Sequence, residues 1–365
     1  MDKRHQMIRK WMEENNADVL FLQTRPNVFY TTGFDTDPHE RLVGSCLFRQ
    51  NDPLVVCPGM EINQVNEVFH KGSAAGYSDT DNPWELLKKE WTSRVENIRT
   101  IAVERDISWE RLKELQRAFP EASFIEANPV LEQGRLLKTE EEVALLKEAA
   151  ALADFGVETG IANLREGITE MEVLAAIEYE LKKKGVREMA FSTMVLFGEK
   201  AGDPHGNPGT RKLKKGDAVL FDLGVIWKGY ASDITRTVFF NHVTDENQAI
   251  YETVLAAQKE ALSLCRPGTP IGKLDRTARG VISARGYGEY FPHRLGHGLG
   301  IEVHEFPSMH ANNDDPLQEG MAFTIEPGVY IPNQAGVRIE DDVYITSSGH
   351  VTFTSFPKEL QIVKA

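Results

Sequence analysis

"VLFDLGVIWKGYASDITRTVFF", residues 219–240, sets a carboxylate, Asp222, between Phe221 and Leu223 in an apolar run, and repeats the device eleven residues later with Asp233. "AVLFDLGVIW" and "SDITRTVFF" have the β-branched and aromatic content of strands, and "KGY" between them supplies a turn. The stretch therefore reads as a hairpin that brings Asp222 and Asp233 nearly opposite each other. A buried carboxylate without a partner is strongly unfavourable, and two that face each other also repel. A cation between them removes both penalties. Taken singly, Asp222 also reads as a turn cap or a partner of Arg236, and Asp233 as an Asx-turn residue.

The device recurs downstream. "MAFTIEPGVYI" carries Glu326, "GVRIEDDVYI" carries Glu340, and "PNQAG" is the turn between them. Alone, Glu340 with Asp341 and Asp342 would pass for a solvated acidic face. Between the two hairpins, "HRLGHGLGIEVHEFP", residues 293–307, places glycines on both sides of His297, where they let neighbouring backbone approach closely. Four carboxylates and one imidazole form an oxygen-rich set able to hold two divalent ions about 3.5–4 Å apart. Such hard ligands suit Mn²⁺, with Co²⁺ or Zn²⁺ as alternatives.

The rest of the chain bounds this reading. At 365 residues, with 41% hydrophobic and 26% charged residues, it is long for one core, so two domains are expected. A net charge of −14 disfavours a nucleic-acid partner. The three cysteines, Cys46, Cys57 and Cys265, have no CxxC spacing and read as reduced thiols of a cytoplasmic protein. The first eighteen residues carry charges throughout, unlike a signal peptide, and no run approaches transmembrane length, so no membrane association is expected.

Strand-like runs at 18–22, 43–48, 53–57 and 100–104 and helix-like stretches at 3–15, 61–70, 83–93 and 108–118 predict a small α/β domain. Pro129 and Gly134 mark a connection, with a boundary near 130. Capping boxes then open two helices, Thr139 with Glu142 and Thr169 with Glu172, the first running to about 160 and the second stopping at Gly185. Further helices are expected near 245–265 and 271–285.

In this order, "FDLG", "SDITRT", "GHGLGIEVHE", "IEPGVY" and "VRIED" resemble the M24-type dinuclear metallopeptidases of the creatinase, aminopeptidase P and prolidase group. The early "PHER" is shared with bacterial Xaa-Pro dipeptidases of that group. The resemblance implies an α+β chain: a small α/β N-terminal domain at 1–130, then a pita-bread catalytic domain at 131–365. It makes Asp222, Asp233, His297, Glu326 and Glu340 the ligands of two divalent metal ions, with Glu326 also relaying a proton. It makes His205 and His304 catalytic hydrogen-bond donors and sets His293 at the substrate site.

The implied reaction is hydrolysis of the bond before proline in Xaa-Pro dipeptides by a metal-bridging hydroxide. Xaa-Pro aminopeptidase action on longer peptides is the alternative. A non-enzymatic binding module of the same fold is disfavoured because all five ligands are present. Two departures stand out: Gly206 replaces the second histidine that many relatives carry beside His205, and no arginine follows "HEFP" as in some prolidases. In prolidases with a loop like 36–42, that loop reaches across a homodimer toward the partner's site. By this likeness Asp37, His39 and Arg41, with Arg338 near the metals, contact the small peptide substrate and enforce its length.

Overall fold

A computed structural model describes residues 3–364, and the chain divides into two compact units between Arg135 and Leu136.

The first unit is built on a six-stranded sheet in the order Ser73–Tyr77, Leu54–Pro58, Gly44–Phe48, Val19–Leu22, Thr100–Val103, Ser123–Glu126. Val19 and Phe21 pack into a cluster with Trp91 and Leu115, whereas Leu20 and Leu22 pack into another with Ile8 and Val130. Both faces of this strand are covered, which is why it reads as an unbroken apolar run rather than an alternating one. The helices Lys3–Glu14, Ile62–Val68, Pro83–Arg94 and Trp109–Ala118 fall where the sequence places them. The helix Arg25–Thr32 and the outer strands Ser73–Tyr77 and Ser123–Glu126 are additional. The expected connection around Pro129 and Gly134 is instead a helix, Asn128–Leu136. Pro129 lies in its first turn, where a missing N–H costs nothing, and the Tyr30 hydroxyl donates to the Gly134 carbonyl at 2.8 Å.

In the second unit the capped helices Glu140–Ala162 and Glu170–Lys183 each show both hydrogen bonds of a capping box. They pack on a four-stranded sheet ordered Ile362–Val363, Ile234–Phe240, Ala218–Leu223, Met194–Phe197. The helices Asp245–Ser263 and Ile271–Ala284 share a second core with a five-stranded sheet ordered Glu305–Met309, Gly296–Gly298, Ala322–Ile325, Asp341–Ile345, His350–Thr352.

Each sheet receives one of the two hairpins, and each hairpin is interrupted midway. The first pairs Ala218–Leu223 with Ile234–Phe240, breaks, and resumes as Val225–Trp227 with Tyr230–Ala231 around Lys228 and Gly229, both at positive φ as a type I′ turn requires. The second pairs Ala322–Ile325 with Asp341–Ile345, breaks, and resumes as Gly328–Ile331 with Ala335–Arg338. Asp233, Glu326 and Glu340 lie in these interruptions, where the ladder no longer claims the local backbone. Glu340 N–H donates instead to Thr235 O at 3.1 Å, joining one hairpin to the other.

Candidate metal centre

The register refines the expected face-to-face carboxylates. Thr235, not Asp233, is directly across from Asp222. Asp233 precedes the strand and is a diagonal neighbour of Asp222 on the same face, still close enough for two charges to interact strongly. Glu326 and Glu340 occupy facing positions in the interrupted second hairpin.

His297 arrives on Gly296–Gly298, wedged between Glu305–Met309 and Ala322–Ile325. A Cβ at Gly296 would stand 2.0 Å from Thr324 O, and one at Gly298 2.2 Å from Phe306 O, so only glycine permits this approach on either side of the imidazole. The ring donates Nδ1–H to Gly298 O at 3.1 Å. Its Nε2 lone pair is thereby turned toward Glu326 Oε1 at 3.3 Å and Asp233 Oδ2 at 3.6 Å. Ligand atoms of Asp233, His297 and Glu340 all lie within 4.8 Å of one another. Asp222, Asp233, His297, Glu326 and Glu340 line one cavity of about 370 Å³.

The electrostatics are those of a site built for cations. Burial pushes the Asp233 carboxyl well above its usual range, and the charges of Glu340 and Asp222 push it further. Glu340 is raised in the same way by burial and by Glu326, and Glu326 reaches about 7, again chiefly through burial. Burial holds His297 down at about 3, a neutral imidazole able to act as ligand. Asp222 Oδ1, Asp233 Oδ1 and Glu340 Oε1 are buried with no hydrogen-bond partner. Native interiors rarely leave such atoms orphaned. Unpartnered carboxylate oxygens converging on a neutral imidazole fit divalent cations.

The single-residue alternatives are not what the structure contains. Asp222 pairs with Arg338, while Arg236 is 2.7 Å from Asp341. Asp341 and Asp342 are fully buried rather than solvated. Asp341 also accepts from Gln258, Thr354 and Lys358, and Asp342 accepts the Asp233 N–H at 3.1 Å.

His205, His293, His304 and Arg338 line the same cavity. The His304 ring stands edge-on to that of His297, centroids 4.1 Å apart. His293 donates Nδ1–H to Arg294 O at 2.8 Å and accepts the Tyr330 hydroxyl at Nε2, 2.9 Å away. Tyr330 in turn accepts from Arg338 Nη1 at 2.7 Å, and Arg338 Nε donates to Thr235 Oγ1 at 2.9 Å. Arg338 is thus a buried strut from Asp222 to His293. Asp37, His39 and Arg41 lie in the first unit, where Arg41 Nε donates to Asp79 at 2.9 Å and His39 takes φ 52 beside Asp37.

Four participants escaped the sequence reading: Thr235, Tyr330, Asp342 and Arg294. Thr235 donates its hydroxyl to Glu340 Oε2 at 2.7 Å. Arg294 lines the cavity and donates to Ser308 at 2.9 Å. "VRIEDD" does hint at Asp342 as a further buried acid, but nothing local marks Thr235 or Tyr330.

Comparison with known proteins bears on the same residues. The pattern of metallopeptidase family M24 matches residues 144–347, and that of the creatinase/prolidase N-terminal domain matches 4–137. "Putative dipeptidase YkvY" of Bacillus subtilis (strain 168) is 56% identical over 99% of both chains. The solved structure of the Xaa-Pro dipeptidase from Bacillus anthracis superposes with a TM-score of 0.92 at 31% identity, over 99% of both chains. That of the X-Pro aminopeptidase from Thermotoga maritima MSB8 gives 0.89 at 30% identity, over 99% of this chain and 100% of the other.

Proposed function

The chain belongs to metallopeptidase family M24, in the pita-bread fold behind a creatinase/prolidase N-terminal domain, and on that premise we propose that it hydrolyses the peptide bond before proline in Xaa-Pro dipeptides. The observation that carries the site assignment is the set of orphaned carboxylate oxygens on Asp222, Asp233 and Glu340 around His297. With Glu326 these residues would hold two divalent ions, Mn²⁺ in first place and Co²⁺ or Zn²⁺ as alternatives. When bound, the ions supply a water of lowered pKa and polarise the scissile carbonyl.

The chain's own side chains do the rest. Glu326 accepts the proton of the attacking water and passes it on toward the proline nitrogen as that bond breaks. His304 and His205, on the cavity wall, donate hydrogen bonds to the oxyanion that forms at the carbonyl carbon. Arg338 spends its donors on Asp222, Thr235 and Tyr330, which makes it an orienter of the metal ligands first and a substrate contact second. Arg294 is the cavity cation better placed to meet the substrate carboxylate. Phe191, Met194 and Val303 give the cavity an apolar wall suited to the tertiary amide of proline and an apolar residue before it.

Aminopeptidase action on longer Xaa-Pro peptides is the second reading, favoured by the likeness to the Thermotoga enzyme. Kinetics on an Xaa-Pro dipeptide against an Xaa-Pro-Xaa tripeptide separate the two: dipeptide preference supports the first reading, tripeptide preference the second.

Homodimer formation and a cytoplasmic location complete the proposal. Cys46, Cys57 and Cys265 are buried free thiols, in keeping with a reducing compartment. Among the described residues no helix is long and apolar enough to cross a membrane. The loop with Asp37, His39 and Arg41 is assigned to substrate length selection in the dimer.

A further inference from the structure

His205 is exposed, so its place on the cavity wall comes from the backbone that carries it. That backbone is an arm leaving the sheet after the strand Met194–Phe197 and returning at Gly209. Its root is closed by one side chain that the reaction does not use. Glu170, in the first turn of the helix Glu170–Lys183, has no solvent exposure at all. Its Oε1 accepts the Phe197 N–H at 2.9 Å and its Oε2 accepts the Gly209 N–H at 2.8 Å, so one carboxylate binds both ends of the arm. Oε2 also accepts from Lys200, whose ammonium donates onward to Asn207 O at 2.7 Å. The carboxylate and the lysine together tie down points before and after His205.

Two further features make the arm rigid. Arg211 on the returning limb donates to Glu199 on the outgoing one at 2.8 Å, and to Asp217 at 2.7 Å. At the inner edge the arm touches the second hairpin with no side chain between them: a Cβ at Gly336 would stand 1.7 Å from Ala201 O, and one at Gly202 2.6 Å from Ile331 O. A buried carboxylate whose three hydrogen bonds all come from the same arm is a costly arrangement unless the arm's position matters.

We propose that Glu170, with Lys200, is a positioning residue that holds the His205 arm at the distance from the reacting carbonyl at which His205 donates to the oxyanion. This rests on the reading of His205 given above. The arm supplies no metal ligand, so the clasp acts on turnover and not on metal loading. Misplacement of a donor by an ångström is enough to lose its contribution to the transition state.

The test is a double-mutant cycle on the metal-loaded enzyme with an Xaa-Pro dipeptide. Glu170→Ala is expected to lower kcat by about 10- to 100-fold with KM changed less than about threefold, a loss no larger than that of removing the oxyanion donor outright. In a His205→Ala background the same change should cost less than about twofold, because a donor already absent cannot be misplaced. Lys200→Met leaves both backbone N–H groups, of Phe197 and Gly209, donating to Glu170 and serves if Glu170→Ala does not fold. It should show a smaller kcat loss, of about 3- to 10-fold, with the same non-additivity. Co²⁺ binding to each variant, followed by the visible spectrum and by titration calorimetry, should match wild type.

Equal losses with and without His205, or loss of Co²⁺ binding, would overturn the inference while leaving the reading of His205 intact. Full activity of His205→Ala would overturn both.

Discussion

Thr235 stands directly across the strand register from Asp222, yet its hydroxyl donates to Glu340, in the other hairpin, at 2.7 Å. One side chain therefore fixes the rotamer of a carboxylate whose second oxygen, Oε1, has no protein partner. Thr235→Val keeps the shape and β-propensity of the strand and removes that bond together with the one the hydroxyl accepts from Arg338 Nε at 2.9 Å. The expected result is a metal affinity lower by about 10- to 100-fold, the usual cost of losing an outer-shell partner. Titration of chelated protein with Mn²⁺ measures it, and an unchanged affinity would mean that Glu340 needs no orienting.

His304→Ala and His205→Ala should behave unlike changes to the ligands. Metal content stays at the wild-type level while kcat falls by roughly two to three orders of magnitude, the scale of a lost oxyanion donor. Metal analysis beside steady-state kinetics checks this. Metal lost in step with activity would make either histidine a ligand instead.

His293 gives a pH prediction whose sign is fixed by its environment. Burial lowers its pKa from 6.5 to about 4. Between those values the unfolded chain binds the proton and the folded chain does not, so stability rises with pH across the window and is lost as pH falls from 6.5 toward 4. The contribution is at most about 3 kcal/mol. Denaturant unfolding of chelated protein at pH 6.5 and 4.5 should show a smaller loss for His293→Asn than for wild type. An equal or larger loss would mean that the ring is not held neutral.

The expected substrate loop is tested by its kinetics. His39→Ala with Arg41→Ala should raise KM for Xaa-Pro dipeptides and narrow the preference over tripeptides, with metal content unchanged. Sedimentation of the same samples reads the oligomeric state. Unaltered kinetics, or a fully active monomer, would leave the loop as surface held by the Arg41–Asp79 pair.

What was legible in the sequence was what carries a local signature. Acids flanked by Phe, Leu and Ile stand out because burial makes them expensive, and Thr139-x-x-Glu142 and Thr169-x-x-Glu172 mark their helix starts to the residue. The helix Arg25–Thr32 escaped because "RPNVFYTT" is rich in β-branched and aromatic residues; Pro26 in its first turn and Gly33 in a left-handed C-cap are its only signals. The strand Ser73–Tyr77, "SAAGY", has mostly small side chains and shows no period. Thr235 and Asp342 were hidden for another reason: Glu340 is 105 residues from Thr235, and Asp342 is 109 from Asp233. Only the register of two hairpins, each broken at its midpoint, brings those pairs together.

In the proposed mechanism five side chains, Asp222, Asp233, His297, Glu326 and Glu340, hold the ions on which Xaa-Pro hydrolysis depends. The most direct measurement is reconstitution: the protein is stripped with chelator, Mn²⁺ is added back stepwise, and bound metal and dipeptide hydrolysis are followed together, for wild type and for Asp233→Asn. Wild type should be inactive when stripped and regain activity as it binds two ions per chain, while Asp233→Asn should regain neither metal nor activity. Full hydrolysis by the stripped protein, or an Asp233→Asn variant that binds both ions and works normally, would contradict it.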